Sequence, residues 1–488
     1  MINLLIVLAY LATVIAVGVL AHRLFRGTGE DYFIASRSIG SFVLLMSLFG
    51  THMTAFSLLG ASGEAYHRGL GVFALMASSS ALVVPLVFHF VGRRLWALGR
   101  NNGCVTQVEF FRERWRSPAL ARLLFGVLVL LLVPYLLIGI KGAGITFEEI
   151  SGGLVPRWLG SLLICVVVGV YVAVGGVRSA AWANTFQTLV FMLLGAVTFV
   201  VITRQMGGLT AGLERVDPAL LLQGSSLGWP QMVSYLFIPL SVDMFPHIFM
   251  HWLTAKRSGS FDLPIVAYPI CVAVVWAPSV LLGVLGTLEL GGLEGPAANS
   301  VLVLMIERYA PGALAGLLAA GVFAAIMSSL DSQTLSLATL LTRGLGPSRG
   351  RPAADETRQV RRGRLLVGVL LLVAYALSLI ADRSLFRLGV WSFSGFSALL
   401  PLALAAIYWR RSTARGAVAS VLVTAVLWIY YFSLDWAAPG YTLGGSGWMP
   451  VVALFAASSA AMIVVSLVTA PPPGEHLEAF FSTPEEAP

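Results

Sequence analysis

The chain has 488 residues, 58% of them hydrophobic and only 11% charged, with a net charge of +8 and a mean hydropathy of +0.86. Soluble domains carry roughly 25% charged residues, so a water-facing globule of this length is excluded. The positive charge does not indicate nucleic acid, because the arginines sit in short gaps between apolar runs.

Apolar runs of about 20 residues recur from end to end, each long enough to cross a ~30 Å hydrocarbon core surrounded by lipid. They are continuous rather than alternating, which selects helices over a closed barrel. Thirteen spans are read at about 3–20, 39–66, 70–92, 119–148, 157–175, 181–203, 230–253, 264–288, 312–342, 365–381, 386–409, 416–434 and 449–469. The first has no basic stretch before it and no small-residue cleavage site after it, and is read as a retained helix. Lys and Arg crowd the gaps after spans one, three, five, seven, nine and eleven, while the other side has a scatter such as Arg68, Arg157, Arg215, Arg308 and Arg383. The basic side is cytoplasmic by the positive-inside rule, so the expectation is an all-α, multi-pass protein of the inner (plasma) membrane, N-terminus outside and C-terminus inside.

Outside the spans, 343–364 reads as a basic cytoplasmic loop and the acidic tail from Pro471 as disordered. The stretch 291–311 is expected to hold a short amphipathic helix around Val301–Tyr309. Cys104, Cys165 and Cys271 are far apart, form no metal spacing and read as packing residues.

Two spans are interrupted at mid-depth, where irregular backbone is tolerated only if it lines a cavity or is buried in protein. Span two has Gly50-Thr51-His52-Met53-Thr54 where its neighbours have Leu and Val. Span seven carries Pro239, Ser241, Asp243, Pro246 and His247. An unpaired charge such as Asp243 at that depth costs about 2.5–3.5 kcal/mol on insertion scales. If spans two to six form one repeat and seven to eleven another, the broken helices open each half, and the odd number of spans inverts the second. That divides the chain into 1–38 (peripheral helix and loop), repeats 39–206 and 229–411 joined by the loop 207–228, two peripheral helices over 412–470 and the tail 471–488. Inverted repeats with discontinuous helices at matching positions mark a central transport site.

Span nine gathers Ser328, Ser329, Asp331, Ser332, Gln333, Thr334 and Ser336 on one helix. Adjacent hydroxyls at Ser328 and Ser329, with the Ala325 carbonyl one turn back, supply three oxygens on nearly one face, and hard cations prefer such ligands. Carbonyls freed by the break in span two could complete the shell. The alternative is that small hydroxyl residues merely let helices approach closely.

Asp31-Tyr32-Phe33-Ile34-Ala35-Ser36-Arg37-Ser38, the stretch from Tyr171 to Trp182 with Gly175-Gly176, and the segment from Ala324 to Gln333 together resemble the sodium:solute symporter family. The resemblance covers nearly the whole chain. It implies a LeuT-like five-plus-five inverted-repeat core and a symporter of a small organic solute driven by Na+. It also implies a sodium site built from the carbonyls of Gly50, Met53 and Ala325 and the hydroxyls of Ser328 and Ser329. Asn184 stands where family members often carry Asp, which speaks against a second sodium.

The residues nearest the expected cavity are His52, Thr54, Phe56 and Ser57 on span two, Tyr135 and Lys141 on span four, and Asp243 and His247 on span seven. Lys141 has two readings: it reaches the outer interface or pairs with an acid such as Glu64, or it joins His52 and a half-helix N-terminus in attracting an anionic group. A small organic acid such as a monocarboxylate suits few amides and several hydrophobic walls. His52 could instead carry a coupling proton. An enzyme is excluded for want of a catalytic constellation, and a transporter-like sensor stays open as a rival.

Overall fold

In hydrocarbon a main-chain polar group has no partner but its own chain, and among the described residues the regular structure is helical apart from one isolated bridge. The computed structural model describes residues 2–22, 37–222, 227–343, 353–381 and 383–481. Among them, nine helices are long and apolar enough to cross a membrane. Two further spans are bent pairs, and shorter apolar helices, Ile2–Val17 and Arg157–Val170, lie where spans one and five are read. Helical geometry runs on from Arg157 to Gln205. Yet Arg157 pairs with Glu149, which accepts from Ser300, while Arg215, just beyond the other end, meets Glu289. Arg157 thus reaches the 289–300 connection through Glu149, and Arg215 reaches it directly.

Both expected interruptions are present. Ser41–His52 and Phe56–Arg68 meet at 58°, and Trp229–Asp243 and Pro246–Thr254 at 51°. In span two the N–H of Phe56 turns to the Thr54 hydroxyl and that of Ser57 to the Thr54 carbonyl, both at 2.9 Å. The carbonyls of His52 and Met53 thereby lose the donors that a continuous helix would give them. In span seven Pro246 has no N–H to carry the helix on. At the arginine-rich end the two broken helices are joined directly: the N–H of Ile39 donates to the Thr254 carbonyl at 3.0 Å, and that of Lys256 to the Ile39 carbonyl at 2.9 Å.

The same end is braced by a loop helix, Gln107–Trp115, opened by a reciprocal capping box between Thr106 and Glu109. Arg114 on this helix is wholly buried and donates to the carbonyls of Ala406, Trp409 and Arg410 and the hydroxyl of Ser412. Burial pulls its guanidinium down to about 10, so it stays charged at neutral pH. The three cysteines are free and buried, as packing residues should be.

Two expectations about the connections are corrected. The tail is not wholly disordered: Gly474–Phe481 is a helix, because His476 and Phe480 share a face at i, i+4 and that face is buried. Phe480 packs on the Phe110 ring, the His476 Nε2–H donates to the Arg114 carbonyl at 3.0 Å, and Arg114 lies over the Phe481 ring. The basic loop is also shorter than expected, since Ala353–Ile380 is one helix that carries span ten back through the Arg-rich sequence. The motif residues Asp31 to Ser36, the loop 344–352 and the tail end 482–488 lie outside the described residues. The helix Val301–Tyr309 is present as expected.

Replacing Phe480 by Ala should release the tail helix without unfolding the spans. Losing about 3 kcal/mol of ring burial corresponds to about a hundredfold faster cleavage by a Glu-specific protease at Glu475 and Glu478 when opening is fast. Unchanged cleavage kinetics would show that the helix is not held by this ring.

Candidate ion and solute site

Span nine brings its hydroxyls to the break in span two. The Ser328 hydroxyl lies 2.8 Å from the Gly50 carbonyl and 3.0 Å from that of Ala325, while Ser329 lies 3.5 Å from Ala325 and 2.9 Å from the Ile326 carbonyl. All of these residues are fully buried. Gly50 is required by close approach: a Cβ there would stand 2.0 Å from the Thr188 hydroxyl, which itself donates to the Met46 carbonyl at 3.0 Å. Met53 follows Ser41–His52 in extended backbone, with its carbonyl relieved of its helical donor as described above. The cluster is neutral oxygen throughout, and among the described residues no three His, Cys, Asp or Glu side chains gather as a metal site. Uncharged hydroxyls and carbonyls suit a monovalent hard cation better than a divalent one, which favours carboxylates. To receive the ion, the Ser328 hydroxyl hydrogen must turn away from Gly50 and Ala325 and present a lone pair instead.

Alongside the two breaks lies an aromatic cluster. His52 stacks against Tyr268 with centroids 5.9 Å apart and hydrogen-bonds its hydroxyl through Nδ1. Phe245 stands 6.2 Å from His52 and 5.2 Å from His247, and Tyr135 lies 5.5 Å from His247. Phe393 of span eleven closes on Tyr135 and on Phe56, each at 5.0 Å. Among these rings, both His247 nitrogens are buried without a hydrogen-bond partner among the described residues, and the buried Tyr135 hydroxyl has only the Gln333 side chain near it. The neighbouring Ser57 hydroxyl is in the same condition as His247, and the buried Asp243 carboxyl, at the end of the 3-10 helix Ile238–Asp243, meets no side chain and faces only its own and the Met244 main-chain N–H. Buried polar groups in proteins are ordinarily paired. Such underpaired groups on the breaks of two helices point to a ligand with several polar groups.

The candidate residues therefore divide. His52, Phe56, Tyr135 and His247 meet through their rings; Ser57 and Asp243 sit on the elements that carry them; Thr54 caps the second half of span two. Lys141 is not brought to His52. Its Nζ donates to the Ala381 carbonyl, and the side chain lines a separate cavity with Glu148, Arg157 and Arg383. Nor does Lys141 pair with Glu64, which is taken by Arg68 at 3.2 Å. Asn184 donates to the Ser332 hydroxyl at 2.8 Å, a hydroxyl also met by His251 at 3.2 Å. Sequence reading missed Phe245, Tyr268 and Phe393. Phe393 could have been found, since 392–397 (SFSGFS) has the same density of hydroxyls and glycine as span nine. Tyr268 carries no such mark.

The model of the sodium:solute symporter family matches residues 32–424. The sodium/pantothenate symporter of Escherichia coli is 30% identical over 444 residues, covering 88% of this chain and 90% of that one. The sodium/proline symporter of Salmonella typhimurium is 25% identical over 480 residues, with 93% of each chain covered. Among solved structures, a Na+-coupled sialic acid symporter in a substrate-bound outward-open state superposes with a TM-score of 0.80 over 96% of this chain and 98% of that one, at 17% identity. A nucleobase-cation-symport-1 family transporter in a closed conformation gives 0.61 at 14% identity, over 92% of this chain and 97% of that one. The fold is thus LeuT-like, as the broken helices imply. The chain is a multi-pass inner-membrane transporter and not an enzyme; it belongs to the sodium:solute symporter family, whose co-transported ion is Na+.

Proposed function

We propose that this symporter carries a small carboxylate-bearing solute together with one sodium ion by alternating access, and that pantothenate, a monocarboxylate, is the solute to try first. The arginine-rich end faces the cytoplasm in this reading, and the repeats 39–206 and 229–411 rock against each other about the two breaks. The observation that carries it is the set of underpaired polar groups on the broken helices, held between aromatic rings and adjoining the Gly50–Ser328 oxygen cluster. The matched relatives act on pantothenate and on proline, and both solutes bear a carboxylate.

In this reading sodium takes the carbonyls of Gly50, Met53 and Ala325 and the hydroxyls of Ser328 and Ser329. The solute carboxylate meets the N-terminal end of Pro246–Thr254, where the helix dipole favours negative charge. Asp243 accepts hydrogen bonds from hydroxyl or amide donors of the solute, and Phe245, Phe393 and Tyr135 cover its carbon skeleton. Solute and ion share span two, so filling one site orders the backbone that serves the other.

In proteoliposomes an inward sodium gradient should drive pantothenate accumulation, and a proton gradient alone should not. The double change Ser328→Ala/Ser329→Ala should raise the sodium concentration for half-maximal uptake about tenfold or more, the equivalent of ~1.4 kcal/mol of ion binding. Proton-driven uptake that survives this double change and is lost on His52→Gln would sink sodium coupling in favour of a proton carried by His52. Gly50→Ala should impair sodium dependence in the same way, and Thr188→Ala, by removing the hydroxyl that the new methyl meets, should restore much of it. Asp243→Asn should raise the KM for pantothenate about tenfold, as expected for replacing a carboxyl oxygen that accepts from the solute by an amide N–H, at ~1.4 kcal/mol, while sodium affinity measured without solute stays put.

A further inference from the structure

The loop helix Gln107–Trp115 is fixed at both of its ends. Its start is set by the Thr106–Glu109 capping box, and near its finish Arg114 is bound to the carbonyls and the hydroxyl at 406–412. Between these anchors the helix packs on span seven, where the Phe110 and Phe111 rings stand 5.8 and 6.5 Å from the Phe249 ring of Pro246–Thr254. Gln107, the first residue of the helix, reaches further up. Its Nε2 donates at 3.0 Å to the carbonyl of Met244, at the break itself and between Asp243 and Phe245 in sequence.

That carbonyl needs a donor from outside its own helix. The N–H groups of Met244 and Phe245 both turn back to the Ser241 carbonyl, at 3.0 and 3.2 Å. Beyond the break Pro246 has no N–H to give, and the N–H of Phe249 goes to the Phe245 carbonyl at 2.9 Å, one residue past Met244. Gln107 and Met244 are both buried away from solvent. A buried amide is a costly way to fill space. The Gln107 Oε1 has no hydrogen-bond partner among the described residues, and an apolar side chain of the same shape would carry no such penalty. What the amide does supply is a donor for the break.

We propose that Gln107 is a positioning residue for the solute: from the loop at the arginine-rich end it holds the turn 243–246 in place. The turn in its place aims the Asp243 carboxyl and the first turn of Pro246–Thr254, with His247, at the space between the aromatic rings. This rests on the reading in which the solute meets those groups. Gln107 itself acts only through the Met244 carbonyl. Because the loop helix is tied by Arg114 to the end of span eleven, it braces the span-seven break against a second element of the fold.

Two variants test this. Gln107→Met keeps the length of the side chain and removes the donor, and Gln107→Asn keeps the amide and withdraws it by one methylene. Each should raise the KM for pantothenate uptake about tenfold, the scale of one lost bond to a buried carbonyl, with the rate at saturation little changed. Hydrogen exchange in lipid nanodiscs, without solute, should show the amides of 244–250 opening about tenfold faster in both variants, with spans three and nine as in the wild type. Exchange at 244–250 equal to wild type in both variants overturns the proposal, even if pantothenate is accumulated. Exchange that quickens throughout the helices does the same, since that is general loosening. So does faster local exchange with an unchanged KM, which leaves the turn without a part in solute binding. If the wild type takes up no pantothenate, local quickening that another carboxylate solute reverses supports the positioning role and removes only the choice of solute.

Discussion

A main-chain carbonyl buried away from water must find a donor or a cation, and the break in span two creates several with neither close by in their own helix. Everything at the centre of this protein answers that need. Gly50 lets span six come within contact distance, Thr188 fills the space a side chain would take, and span nine offers the Ser328 hydroxyl to the Gly50 carbonyl. A hydroxyl is a donor that can rotate to present a lone pair, so the same oxygen that satisfies the carbonyl could, in the proposed reading, turn to an ion. The break is kept open by Thr54, whose hydroxyl and carbonyl both draw the next two N–H groups away from the helical pattern.

The aromatic cluster is a second answer to a different problem. A polar solute in a membrane interior needs partners that are not already committed, and rings can surround such partners without competing for them. His247 keeps both ring nitrogens unpaired among the described residues beside Phe245, and Tyr135 and Asp243 are buried with few partners next to the same rings. An amide-rich lining would have paired with itself. The cost of orphaned groups is offset by packing that the rings supply in offset and edge-on contacts, each worth about 0.5–1.5 kcal/mol.

Much of this was legible from one chain because breaks in hydrophobic runs are local. Glycine, proline and hydroxyls at mid-depth located both bent helices, and the span-nine hydroxyls stood out by density alone. The short helix Val301–Tyr309 was readable from its amphipathic pattern. Contacts made between distant spans were not. Tyr268 and Phe245 are ordinary aromatic residues in an apolar sequence, and only tertiary placement puts one on each side of His52. Lys141 shows the converse. Its charge made it conspicuous in an apolar helix, yet the face it occupies turns it toward span ten instead of the breaks. The tail escaped for want of a long pattern: two turns carry too little periodicity to identify, and its order comes from the pocket formed by Phe110 and Arg114.

The two main-chain bonds that tie Ile39 to Thr254 and Lys256 have a mechanical meaning. They join the broken helices through the main chain at one end, while at the other end an Arg68–Gln231 side-chain bond at 2.7 Å links the bent halves. The main-chain end is clamped further by the Trp96 indole on the Ala255 carbonyl and by Arg100 on that of Lys256. Parting the two helices at this end would require breaking both main-chain bonds. The loop helix adds a contact higher up, where the Gln107 amide donates to the Met244 carbonyl at the span-seven break.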